Sequence, residues 1–153
     1  MASVDYTNGA QRVIPADGIG KYFLLKNRLD FSETPLANAD SAKVFAIKAG
    51  WEIKNVHTKI VTPEGGTATF TIGVTGGGTE FEGNGNANAV AGTRTRGIGG
   101  TDAGVTAGGV KYASDGYLYF DASADLDAAV IDVVAEVVDI DADFAGDVLI
   151  LVD

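Results

Sequence analysis

Hydrophobic and polar positions alternate with a period of two along the middle of the chain. Apolar runs from Val44 to Ala49, Trp51 to Thr62 and Thr67 to Val74 are separated by Gly50 and by Pro63-Glu64-Gly65-Gly66. Alternation of this kind predicts half-buried strands, and Gly and Pro between them predict tight turns. Within the second run the phase slips by one residue near Lys54-Asn55: Trp51 and Ile53 share one face, then Val56, Thr58 and Ile60 take it over. Such a slip predicts a β-bulge. The polar positions are Lys, Thr and Glu spread along solvent faces, with no convergence of acids, bases and nucleophiles. The stretch reads as scaffold and points to a structural or binding role.

The flanks are less regular. Ile19 to Lys26 predicts a strand between Gly18 and Asn27, and the rest of residues 1–42 reads as an N-terminal arm suited to gripping a partner. Asp30-Phe31-Ser32 and Asn38-Ala39-Asp40-Ser41 favour turns, because their side chains hydrogen-bond nearby backbone. Between Gly76 and Gly109, 12 of 34 residues are Gly, with Asn84, Asn86 and Asn88 among them. This predicts a long excursion with one or two short strands near Val90 and Ile98, ordered against a neighbouring chain. Gly108 to Ala113 and Tyr117 to Asp121 predict a hairpin across Ser114-Asp115-Gly116. In Ala128 to Ile140, the positions Val130, Val133, Val134, Val137 and Val138 also fit helical spacing. Five Val and two Ile in 13 residues favour a pleated surface, so the segment reads as a strand buried on both faces. Asp147 to Val152 supplies a last strand. The prediction is an all-β protein: a jelly-roll-like antiparallel β-sandwich over residues 43–153, with the Gly-rich loop 76–109 and the arm before it.

Length and charge narrow the function classes. At 153 residues one domain can bury about 70% of its unfolded surface. No apolar run approaches the roughly 20 residues needed to span a bilayer, and Met1-Ala2-Ser3-Val4-Asp5 lacks a basic start followed by an apolar stretch. A soluble chain without an export leader is expected. Zero Cys removes disulfides, thiolate metal sites and Cys nucleophiles. The formal charge is −10, yet residues 1–100 hold 9 acids against 10 bases, whereas residues 101–153 hold 12 acids against Lys111 alone. A field of that sign repels phosphate, so neither nucleic acid nor an anionic membrane is an expected partner.

Candidate chemistry is sparse. His57 is the sole histidine; it sits mid-strand on the face opposite Val56 and Ile60, as a surface residue would. Asp141-x-Asp143 with Gly146 begins like a calcium loop, but Ala145 and Val152 stand where further oxygen ligands belong, so a turn is expected there. Gly83-x-Gly85 and Gly18-x-Gly20-Lys21-Tyr22 lack the remaining residues of phosphate-binding loops. Tyr117 and Tyr119 share a face and are the best sugar platform on offer, although such pairs are more often cross-strand packing. No catalytic residue, cofactor or metal site is expected.

The succession Tyr22-Phe23-Leu24-Leu25-Lys26-Asn27, Asp30-Phe31-Ser32, Ile47-Lys48-Ala49-Gly50, Val61-Thr62-Pro63-Glu64-Gly65-Gly66 and Gly108-Gly109-Val110-Lys111-Tyr112, before the Asp- and Val-rich end, resembles the capsid decoration (cement) proteins of tailed bacteriophages. Lys48 stands where such proteins commonly have Pro. The resemblance implies a non-enzymatic virion protein, made in the host cytoplasm, that sits as a homotrimer on the outer capsid surface and clamps the major capsid protein. Tyr6, Arg12 and Phe31 in the arm and Arg94 and Arg96 in the excursion are the residues expected at a capsid or subunit interface. A head-fibre or tail component, or a carbohydrate-binding module on the virion, is the alternative.

Overall fold

A computed structural model describes residues 2–13, 22–96 and 109–139. They form eleven strands: β1 (Ser3–Asp5), β2 (Gln11–Val13), β3 (Tyr22–Asp30), β4 (Ser41–Ile47), β5 (Trp51–Thr62), β6 (Thr69–Gly73), β7 (Glu82–Asn86), β8 (Arg94–Arg96), β9 (Val110–Lys111), β10 (Gly116–Ala122) and β11 (Val130–Asp139). One 3-10 turn, Thr7–Gly9, lies between β1 and β2. Two sheets face each other: sheet I in the order β1-β4-β10-β6-β7 and sheet II in the order β2-β3-β11-β5-β8, with β9 also on the edge of β5. Only the β1–β4 pair is parallel. The architecture is the all-β sandwich that the alternation predicts. No helix of the described residues is long and apolar enough to cross a membrane.

The core lies between the sheets. From sheet II come Phe23, Leu25 and Leu29 of β3, Ile131, Val133, Ala135 and Val137 of β11, and Ile53, Val56 and Ile60 of β5, all buried. Sheet I contributes Phe45, Phe70, Ile72, Leu118 and Phe120. Aromatic rings pack within and between the layers: Phe70 stacks on Phe120 within sheet I at 4.8 Å, Phe23 meets Trp51 edge-on within sheet II at 4.8 Å, and Phe31, just after β3, lies 5.5 Å from Phe120 of sheet I. Full burial of each such side chain stabilises the fold by about 1.5–3 kcal/mol.

Register explains the phase slip in β5. Glu136 of β11 faces Asn55 and Val137 faces Ile53, so Lys54 is the extra, bulged residue. At the start of β5, Gly50 adopts φ 88°, a left-handed conformation that glycine reaches without a Cβ clash. Its N–H donates to the Tyr112 carbonyl at 2.9 Å, which turns the chain from sheet I into sheet II.

Several expectations are corrected. The first 42 residues contribute three strands rather than one short one, and β3 continues through Asn27 to Asp30, paired with β11 over nine positions. Asn27 marks the end of the strand expected from the sequence. Here its buried Nδ2 donates to the carbonyls of Tyr6 and Val44, both at 2.9 Å, and ties the two sheets together. Ser114-Asp115-Gly116 does not close a hairpin: β9 pairs with β5 in sheet II and β10 with β4 and β6 in sheet I. Tyr112 is buried, and its side chain donates to the Tyr117 carbonyl, so this segment makes a corner between layers. Strands of the Gly-rich excursion fall at Glu82–Asn86 and Arg94–Arg96, while Val90 lies in an exposed turn. β11 is a strand, but its two faces differ: Ile131, Val133, Ala135 and Val137 are buried, and Val130, Asp132, Val134, Glu136 and Val138 are half-buried. The strand readings at Ile98 and at Asp147 to Val152, and the acidic turn Asp141 to Asp143, lie outside the described residues.

Candidate interaction surface

The outward face of sheet II is built by register. Along β11 the outward residues alternate apolar and acidic, and each is flanked by its partners on β3 and β5. Asp132 lies between Arg28 and Lys59, Val134 between Lys26 and His57, Glu136 between Leu24 and Asn55, and Val138 between Tyr22 and Glu52. β8 extends two of these rows, placing Arg94 beside Lys59 and Arg96 beside His57; β9 places Lys111 beside Glu52. The result is three outward valines, Val130, Val134 and Val138, separated by Asp132 and Glu136, with Lys26 and Arg28 on the β3 side and Lys59, Arg94 and Lys111 on the β5 side.

Its acids are held by specific partners. Arg28 grips Asp132 with a two-point contact, Nε to Oδ1 at 2.6 Å and a terminal nitrogen to Oδ2 at 2.9 Å. That contact, with Lys59 and Lys26 nearby, holds the Asp132 carboxyl below the usual range despite partial burial. Glu136 accepts from the Tyr22 hydroxyl at 2.7 Å and lies 3.0 Å from His57 Nε2, and both contacts lower its pKa against desolvation. Lys54 Nζ reaches Glu52 at 2.8 Å. His57 is therefore a surface residue paired with a carboxylate, on the face opposite Val56 and Ile60, and no nucleophile adjoins it in these contacts.

A second surface lies at one end of the sandwich, where the connections 31–40, 63–68, 87–93 and 123–129 meet. Leu36 and Leu126 join two of them through paired backbone hydrogen bonds of 2.9 Å. Glu64 locks a third. Although it is buried, its carboxylate accepts from the N–H groups of Asp127, Ala128 and Ala129 at 3.2, 3.1 and 2.7 Å. Burial alone would raise its pKa; the three N–H donors outweigh that and leave it lowered. The charged residues of these four connections are Glu33, Asp40, Glu64, Asp125 and Asp127, with no Lys or Arg among them.

The residues expected at an interface are dispersed. Phe31 is fully buried against Phe120 and Tyr6, so it is a core residue and offers no contact surface. Tyr6 packs edge-on to Phe31, and its hydroxyl donates to the Thr34 carbonyl. Arg12 lies over the Phe23 ring at 4.0 Å and 5.6 Å from Trp51, covering the end of the core. Arg94 and Arg96 share the short edge strand β8 beside the cationic rows of sheet II. Tyr117 and Tyr119 do share a face, at 6.1 Å and edge to face, but both are half-buried and Lys43 sits 4.3 Å over the Tyr117 ring. They pack on one another and on Lys43, and present no open sugar platform. Among the described residues no group of three Asp, Glu or His side chains is arranged to hold a metal ion.

Sequence reasoning missed the basic face, because Lys26, Arg28 and Lys59 come together only once β3 and β5 are placed on either side of β11. The signal available was their outward phase within each strand.

The sequence matches no protein-family model and no curated relative. Its fold is similar to chains of three phage capsid structures. A chain from the capsid of Ralstonia phage GP4 aligns with a TM-score of 0.61 at 12% identity, over 90% of this chain and 97% of that one. One from the cyanophage Pam1 capsid asymmetric unit gives 0.58 at 15% identity, over 86% and 95%. A third, from the acidic stable capsid of Helicobacter pylori bacteriophage KHP30, gives 0.52 at 18% identity, over 84% and 90%.

Proposed function

We propose that this protein is a structural virion component which binds the outer surface of a tailed-phage capsid as a trimer and holds neighbouring capsomers together. The observation that carries this reading is the end-to-end likeness of the sandwich to chains of three phage capsids, each aligned over nearly its whole length. Those chains are thus of about this size. Surface character agrees: the clearest side-chain pairs on sheet II, the Arg28–Asp132 ion pair and the His57–Glu136 contact at 3.0 Å, join residues of neighbouring strands.

The mechanism is mass action. A ligand that binds the assembled lattice and not its parts stabilises it by about 2.7 kcal/mol per site at 100 times the dissociation constant. Three linked contacts from one trimer multiply occupancy through effective concentration. Of the five residues expected at an interface, Arg94 and Arg96 on the edge strand β8 are the contact residues of choice; Tyr6 and Arg12 pack against Phe31 and Phe23 of the same chain.

The test is sedimentation of the purified protein with shells of its phage that lack it, followed by thermal disruption of those shells. Saturable binding and a raised disruption temperature are expected. Shells that neither bind the protein nor gain stability would overturn the reading.

A further inference from the structure

Two surfaces of this molecule complement each other in charge and in apolar content. On the outward face of sheet II, the cations Lys26, Arg28, Lys59, Arg94 and Lys111 outnumber the acids Glu52, Asp132 and Glu136 and flank the outward valines of β11, although the whole chain carries −10. At the end of the sandwich closed by Glu64, the described connections carry acids and no base. Each surface also holds one of the two large hydrophobic side chains that stand exposed among the described residues: Tyr22, 44% exposed, on the basic face, and Val90, 79% exposed, at the acidic end. Ala37, Ala39 and Ala91 in the same connections are also exposed.

We propose that the basic face of sheet II binds the acidic end of a second copy of this chain, with Val90 seated among the outward valines of β11 and Glu33 and Asp127 facing Lys59 and Arg94. The inference rests on the trimer reading above and names the surfaces that meet. A contact between two different surfaces is heterologous, and repeating it by rotation closes a ring, as a three-fold assembly requires. Face-to-face pairing of the basic surfaces would set like charges together and is disfavoured. The long strands β3, β11 and β5 lie about 4.8 Å apart and give a face about 14 Å by about 30 Å, which the short strands β2, β8 and β9 extend at its edges.

Charge reversal tests the pairing, read as native mass by light scattering across a dilution series, with circular dichroism confirming the fold. Lys59→Glu with Arg94→Glu should weaken self-association by about tenfold or more, and Glu33→Lys with Asp127→Lys should do the same. All four substitutions in one chain should restore it, because the reversed face again meets a reversed end. Association unchanged in either double variant would overturn the pairing, as would a folded four-fold variant that stays dissociated. Wild type that assembles and binds shells in those cases leaves the capsid reading standing. Wild type that is monomeric at every concentration and ignores shells overturns both.

Discussion

Glu64 shows how much a single side chain can organise. Its three backbone donors lie 63 to 65 positions further along the chain, so Glu64→Ala leaves three N–H groups without their acceptor. We expect a loss of about 3 kcal/mol, read as a lower urea midpoint at unchanged slope. The sign of its pH dependence follows from its lowered pKa. The stabilisation is present above the ordinary glutamate value of 4.5 and disappears as pH falls through the lower folded-state value. Pro63-Glu64-Gly65-Gly66 was legible as a turn; its reach to a distant loop was not, since nothing local marks the partner. Arg12 carries a comparable lesson. Its guanidinium lies on Phe23 and near Trp51, the sole tryptophan. Arg12→Ala should cost about 1 kcal/mol and shift the tryptophan emission to longer wavelength. An unshifted spectrum with unchanged stability would show that the stacking contributes nothing.

At the level of strands, β5 separates two kinds of deletion. Removing Lys54 takes out the bulged residue and leaves Ile53 opposite Val137 and Asn55 opposite Glu136, so both halves keep their inward side chains. Removing Lys59 throws the strand out of phase on one side and turns either Ile60 or Val56 and Thr58 toward solvent. The second deletion should destabilise by at least about 2 kcal/mol more than the first, measured by thermal unfolding; equal losses would refute the register argument. The bulge itself was legible, because a slip of phase is a local signal. β11 was legible as a strand through its β-branched content, but not its one-sided burial: Asp132 and Glu136 fall among the outward valines, and only the pairing shows that those valines are half-exposed. The hairpin at Ser114-Asp115-Gly116 failed for a different reason. A two-residue turn signal describes the chain's reversal and says nothing of which sheet each arm joins, and here the Asp115 carboxylate accepts from the Ala49 N–H at 2.8 Å, serving the corner rather than a hairpin. Gly85 belongs with the unreadable features. A Cβ there would lie 2.3 Å from the Phe70 ring, so Gly85→Ala should lower stability by about 1–3 kcal/mol through overpacking.

For the molecule as a whole, the titrating groups define a plateau. Glu64, Asp132 and Glu136 have lowered pKa values, so their contributions are lost on acidification below the ordinary carboxylate range. Tyr6, pushed up to about 12 by burial and by Asp30, contributes stability that is complete below its ordinary value of 10.0 and is lost as pH rises toward the folded-state value. Melting temperature should therefore be flat from about pH 5 to about pH 10 and fall on both sides. The acid-side fall should be shallower in Glu64→Ala. One property of the topology reaches beyond equilibrium. Among the connections between described strands, those from β1 to β2, β3 to β4, β4 to β5, β5 to β6, β7 to β8, β9 to β10 and β10 to β11 pass from one sheet to the other, whereas β6 and β7 are neighbours in sheet I. The chain is sewn back and forth through its own core, so neither layer can assemble first. Folding of such non-local pairings is slow. The same stitching works in reverse: a protease that cuts the exposed turn around Val90 would leave two fragments still laced through each other, and the nicked particle would keep its shape long after its backbone had ceased to be one piece.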